Sequence, residues 1–157
     1  MPLRRLFHVD RVRLSMTAHD KGEVLSQMAD LLCLGSPLRP EAVCAVLRER
    51  EEIASTAVGS GVAIPHGRLA EAESVRGALG LLREGVDFDA VDDQPVRIVV
   101  GLLAPEDRPV DHLKALARVS RRLRHAEVRR ALLAARTAEQ ALEAFLGEPE
   151  AQRTREP

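Results

Sequence analysis

Residues 11–16 read Arg-Val-Arg-Leu-Ser-Met, and their side chains alternate between polar and apolar as a half-buried strand requires. Asp20 is placed to cap a helix. Beyond it, Val24, Leu25, Met28, Leu31 and Leu32 recur at helical spacing over residues 21–34, and Gly35-Ser36-Pro37 ends the segment. Pro40 suits the first position of a second helix, whose buried stripe is Ala42, Val43, Val46 and Leu47 and which runs into the charged stretch 48–52. The helical period then disappears. Residues 55–67 hold three glycines and one proline among small apolar residues, a composition of loops and short strands.

Two short apolar runs follow, 77–82 and 96–103, and the second is β-branched enough for a central strand. Asp87-Phe88-Asp89 reads as a connector and Asp92-Asp93-Gln94-Pro95 as the turn before that strand. A helix starting near Asp111 carries Leu113, Leu116, Val119 and Leu123 on one face, and segments 126–135 and 138–146 complete a helical C-terminal third. Strands alternating unevenly with helices predict an α/β domain with a mixed sheet covered by helices. It should extend over residues 1–147, with 148–157 as a flexible tail.

The length of 157 residues suits one domain, and 45% apolar with 30% charged residues is the composition of a globular protein. A formal net charge of −1 lacks the basic balance of a nucleic-acid-binding domain. Phe7, Phe88 and Phe145 are the only aromatic residues besides histidine, too few for a base-stacking platform. Cys33 and Cys44 lie in apolar helical segments without CxxC spacing, so they read as buried, reduced thiols. Residues 1–13 carry charges throughout, and no run approaches the roughly 18 apolar residues of a membrane span. These features predict a cytoplasmic protein with no membrane insertion.

The most unusual segment runs Ser55-Thr56-Ala57-Val58-Gly59-Ser60-Gly61-Val62-Ala63-Ile64-Pro65-His66-Gly67-Arg68. Pro65 holds Ile64 extended and sets its own φ, so His66 should sit on a turn just after a short strand. Gly67 allows the backbone to turn sharply or approach another group closely. An imidazole presented this way is largely neutral near pH 7, and its unprotonated nitrogen can attack phosphorus while an acceptor holds the other ring N–H. Donors for phosphate oxygens are at hand in the Ser55 and Thr56 hydroxyls, the backbone N–H groups around Gly59 and Gly61, and an arginine of the preceding helix. The plain alternative is a turn histidine bonded to backbone.

Other chemistries fit less well. Gly59-Ser60-Gly61 opens like a dinucleotide fingerprint but lacks its third glycine, and no P-loop is present. His8, His19, His66, His112 and His125 are scattered without metal-binding spacing, so no metal and no cofactor is expected. A serine hydrolase through Ser55 or Ser60 would lack the usual GxSxG elbow.

Taken together, Ser55-Thr56, Gly59, Gly61-Val62-Ala63-Ile64-Pro65-His66-Gly67-Arg68 and the preceding Arg50 resemble the phosphorylation-site signature of the bacterial phosphotransferase system's enzyme IIA proteins. The likeness is to the fructose/mannitol class and especially its nitrogen-regulatory branch. It continues through residues 88–96 and Asp111-His112-Leu113 and spans roughly residues 14–146. Ala54 and Ala57-Val58 stand where relatives often carry Gly and Ile, and Asp111 falls at a variable place.

The resemblance implies a single-domain sandwich with a sheet of four or five strands and helices on both sides. It also implies His66 as the phosphoacceptor, His112 as a supporting histidine, and Arg50, Thr56 and Ser55 as phosphate ligands, with Gly59, Gly61 and Gly67 shaping the loop. The implied role is a phosphotransferase component forming a phosphohistidine, not a free-standing metabolite enzyme. An HPr-type carrier would be its donor, and a regulatory target or a IIB protein its acceptor. A sugar-transport role and a non-phosphorylated interaction module remain the competing readings.

Overall fold

Two long strands carry the structure, and their sequences explain why they lie at its centre. In the order of the chain, the computed structural model describes residues 2–147 as follows; the expected tail at 148–157 lies outside the described residues. Two 3-10 turns (Leu3–Leu6 and Val9–Arg11) lead into β1 (Val12–Met16), α1 (Lys21–Cys33) and α2 (Pro40–Ile53). Three short strands come next, β2 (Ala57–Gly59), β3 (Val62–Ala63) and β4 (His66–Leu69), before the long β5 (Arg76–Val86) and β6 (Val96–Pro105). Three helices close the chain: α3 (Pro109–Leu123), α4 (Ala126–Ala134) and α5 (Ala138–Leu146).

The sheet has six strands in the order β1-β5-β6-β3-β2, with β4 also paired to β6. It is mixed: β5 runs antiparallel to β6, whereas β1 is parallel to β5, and β3 and β4 are parallel to β6. This exceeds the four or five strands implied by the resemblance, because the glycine-rich segment contributes three short ladders of its own. Successive β6 side chains point to opposite faces, as strand geometry demands. Val99 and Leu103 join Val24, Met28 and Leu32 of α1 and Val43 and Leu47 of α2 in one core. Ile98, Val100, Leu102 and Ala104 join Val119 and Leu123 of α3, Leu132 of α4 and Phe145 of α5 in the other. Helices thus cover both faces of one domain.

Local signals hold where their chemistry is unambiguous. The Asp20 side chain accepts the Glu23 N–H at 2.8 Å, and Pro40 occupies the first turn of α2. Cys33 is buried, while Cys44 is only half-buried, because it lies at the edge of the α2 stripe.

Two expectations around the site change. His66 is the first residue of β4 and not a turn residue, pairing across from Leu102 of β6. Pro65 has no N–H and so interrupts the ladder, but its carbonyl accepts the Leu102 N–H at 3.0 Å, keeping the chain alongside β6. Helix α3 starts at Pro109, two residues before Asp111, and it is rotated from the expected stripe. His112, Ala115, Val119 and Leu123 face inward, leaving Leu113 67% exposed.

Candidate functional site

Where β4 runs beside α2 and the start of α3, an open cleft of about 780 Å³ is lined by His66, Gly67 and Arg68, by Arg50 and Ile53, and by His112 and Leu113. Its acidic lining comes from Glu49 and Glu106. The approach of α2 to β4 depends on the absence of a side chain at Gly67. A Cβ built there would lie 2.9 Å from Cγ2 and 3.2 Å from Cβ of Val46. Arg50 is one helical turn beyond Val46, so the contact that seats α2 on β4 also carries Arg50 to the cleft. Gly67 therefore makes room for the protein's own helix.

The His66 ring is half-buried, and its Nδ1 lies 2.7 Å from the Ile64 carbonyl oxygen. A carbonyl can only accept, so Nδ1 carries the proton and donates, and Nε2 is left with its lone pair. Burial, first, and nearby Arg50 hold the imidazole below its usual pKa, opposed by the Ile64 hydrogen bond and the Glu51 charge. The ring is therefore largely neutral at pH 7.

His112 stands beside it with ring centroids 5.3 Å apart. It sits in the first turn of α3, where the positive end of the helix dipole favours an anion. Burial, then the neighbouring His66 ring and Arg68, pushes its pKa down to about 4. Its Nδ1 is buried with no hydrogen-bond partner among the described residues. Such a nitrogen is costly to leave unpaired, by about 1–3 kcal/mol.

Two guanidiniums reach the cleft. Arg50 donates one Nη1 bond to the Ala54 carbonyl at 2.9 Å, leaving the remaining N–H groups of the fork for another acceptor. Arg68, on β4, was part of the sequence signature but was not singled out as a ligand; its lining position follows from strand alternation around the buried Gly67.

The other sequence candidates are placed elsewhere. The Ser55 hydroxyl donates to the Phe88 carbonyl and accepts the Ala57 N–H at 3.1 Å. Thr56 is 5% exposed, and its hydroxyl donates to Glu51. Gly59 and Gly61 flank Ser60 in the β2–β3 turn with φ of 95° and 76°, a backbone that suits glycine, and the Ser60 N–H donates to Asp92 at 2.9 Å. None of these four residues lines the cleft: the segment's polar groups are used in tying it to Phe88, Glu51 and Asp92.

Sequence reading also missed Ile53 and Leu113. They give the cleft an apolar rim, exposed by 78% and 67% respectively. Periodicity assigns Leu113 to the buried stripe of α3, and the rotation of that helix turns it outward.

Comparison with known proteins identifies the family of the chain as a whole. Residues 5–147 match the family described as phosphoenolpyruvate-dependent sugar phosphotransferase system, EIIA 2. A nitrogen regulatory protein of Bradyrhizobium diazoefficiens is 39% identical over 151 residues, covering 96% of this chain and 98% of that protein. The fructose-specific EIIABC component of Bacillus subtilis is 32% identical over 136 residues, 86% of this chain but 21% of that larger protein. Among solved structures, the nitrogen regulatory protein IIA-Ntr of Neisseria meningitidis superposes with a TM-score of 0.86 at 31% identity, covering 91% of this chain and 98% of that one. With a family match across nearly its whole length and full-length relatives that share the fold, the chain belongs to the EIIA 2 family of the phosphotransferase system.

Proposed function

We propose that this chain is a phosphocarrier that accepts a phosphoryl group on Nε2 of His66 from a phosphorylated HPr-type protein, and that its phosphorylation state controls a partner protein. The observation that carries this reading is the Nδ1–H to Ile64 carbonyl bond, which leaves Nε2 as the lone-pair nitrogen of a ring lining an open cleft. In the transfer, the Nε2 lone pair forms the new P–N bond as the donor's P–N bond breaks, and that electron pair returns to the donor's ring nitrogen. No proton has to move, since Nδ1 keeps its own.

The remaining groups supply charge and position. Arg50 and Arg68 would meet the phosphoryl oxygens, the α3 N-terminus would add its dipole, and the buried His112 would gain a partner. The apolar rim of Ile53 and Leu113 suits a protein donor better than a small metabolite, because burying it needs a matching surface. Among the described residues no helix is long and apolar enough to cross a membrane.

A regulatory output is favoured by the likeness to full-length nitrogen regulatory proteins. Likeness to a fructose-specific component supports the second reading, passage of the phosphoryl group to a IIB protein. Incubation with enzyme I, an HPr-type carrier and phosphoenolpyruvate, followed by intact mass and site mapping, tests acceptance: one acid-labile phosphate on His66 is the expected result, and no mass gain with an active donor overturns it. Rapid loss of that phosphate to a fructose-type IIB protein would favour transport over regulation.

A further inference from the structure

Behind the cleft lies a buried carboxylate that the phosphoryl chemistry does not itself require. Glu51 follows Arg50 at the end of α2 and is only 7% exposed. Its two oxygens accept the Thr56 backbone N–H at 3.0 and 3.1 Å, and Oε2 also accepts the Thr56 hydroxyl. Its counterion is Lys21, at the start of α1, with Nζ 3.1 Å from Glu51 and 2.9 Å from Asp89. Burying a charge in this way is costly unless it is paired and hydrogen-bonded, and Glu51 is both.

The contacts continue from Thr56 to the reactive ring. The Thr56 carbonyl accepts the Ile64 N–H at 3.0 Å, and the Ile64 carbonyl accepts the His66 Nδ1–H at 2.7 Å. We propose that Glu51 is the positioning residue of this site, setting the orientation and tautomer of the His66 ring through Thr56 and Ile64.

If Thr56 shifts, the Ile64 peptide shifts with it, and the carbonyl that holds Nδ1 no longer points at the ring. The same carboxylate braces the segment whose Ala54 carbonyl receives Arg50, so one buried group registers both the nucleophile and a cation of the cleft. Its negative charge also acts on His66, against Arg50 on the same helix, while Arg68 and the His112 ring face the site from β4 and α3.

The test is Glu51→Gln, which keeps one acceptor for Thr56 but removes the charge and the second oxygen. Ring-nitrogen NMR of the unphosphorylated protein reads the His66 tautomer and pKa, and transfer from a phosphorylated HPr-type carrier reads the rate. The expected result is a smaller Nδ1–H population, a lower His66 pKa and acceptance slowed about tenfold or more. A folded variant with unchanged tautomer, pKa and rate would overturn the proposal.

Should Glu51→Gln not fold, Thr56→Val and Thr56→Ser decide. Valine should loosen the ring and serine restore it; a valine variant indistinguishable from the parent protein overturns the proposal. The kinetic arm rests on the phosphocarrier reading, whereas the NMR arm does not. Ring changes in a protein that never accepts phosphate would therefore count against that reading alone.

Discussion

The imidazoles of His66 and His112 share one cleft at 5.3 Å between centroids with their planes inclined by 53°, yet they are held in opposite ways. His66 is tied by Nδ1 to the Ile64 carbonyl, whereas His112 buries an Nδ1 with no partner among the described residues. Burial makes both rings hard to charge, and at His112 the neighbouring His66 ring and Arg68 add to the effect. An arriving phosphoryl group, carrying about two negative charges, reverses this balance.

Replacing His66 by alanine removes the lone pair and leaves the ladder between β4 and β6, which is made by backbone. We expect His66→Ala to gain no phosphate from the carrier while its unfolding free energy stays within about 1 kcal/mol of the parent protein. Phosphate uptake at a comparable rate, read by intact mass, would remove His66 from its role.

Phosphorylation should raise the His112 pKa above its value of about 4, because the new dianion favours the charged ring. Titration of the His112 ring signals before and after phosphorylation measures this directly; an unmoved pKa would mean that the phosphoryl group sits out of its reach. Correspondingly, His112→Leu should slow transfer about tenfold or more. Stability should hold or rise by about 1 kcal/mol, since an unpaired buried nitrogen is removed.

The same depressed pKa makes stability depend on pH with a definite sign. An unfolded histidine titrates near 6.5 and folded His112 near 4, so between those values the unfolded chain binds more protons. The stability associated with the neutral ring is complete above about pH 6.5, falls as the pH drops through the window, and is lost below about 4. His66, depressed in the same direction, adds to the trend. Urea midpoints between pH 7.5 and 4 should fall more steeply for the parent protein than for His112→Leu; parallel curves would contradict the assignment.

Gly67→Ala tests how the cleft is assembled. Its Cβ would press on Val46 at 2.9 Å, and the branched side chain offers little room to retreat. We expect a loss of about 1–3 kcal/mol in stability. Phosphate acceptance should fall further than that loss explains, because displacing α2 displaces Arg50. Transfer kinetics measured well below the melting temperature separate the two effects.

Much of this architecture is readable in the chain. Asp20, Pro40 and the apolar spacing of α1 and α2 are local signals, and the run from residue 96 to 103 announces a central strand because its residues are apolar on both faces. The signature around His66 marks the segment that forms the cleft. What could not be read is where the polar groups point. Ser55 and Thr56 resemble phosphate donors in sequence, but their hydroxyls are used by Phe88 and Glu51, partners 33 and 5 residues away. The rotation of α3, which buries His112 and exposes Leu113, is likewise decided by what the sheet offers opposite it. Pro65 misled in another way: it breaks a hydrogen-bond ladder without ending the extended chain.

The strands at the sheet's margins are short, β1 with five residues, β2 with three and β4 with four. Little unpaired backbone is therefore offered at its margins for another chain to add a strand. In the exchange proposed above, one partner would have to leave before the next arrives. Association through side chains around the cleft would permit that, whereas a strand-to-strand embrace, which the short margins disfavour, would stall it.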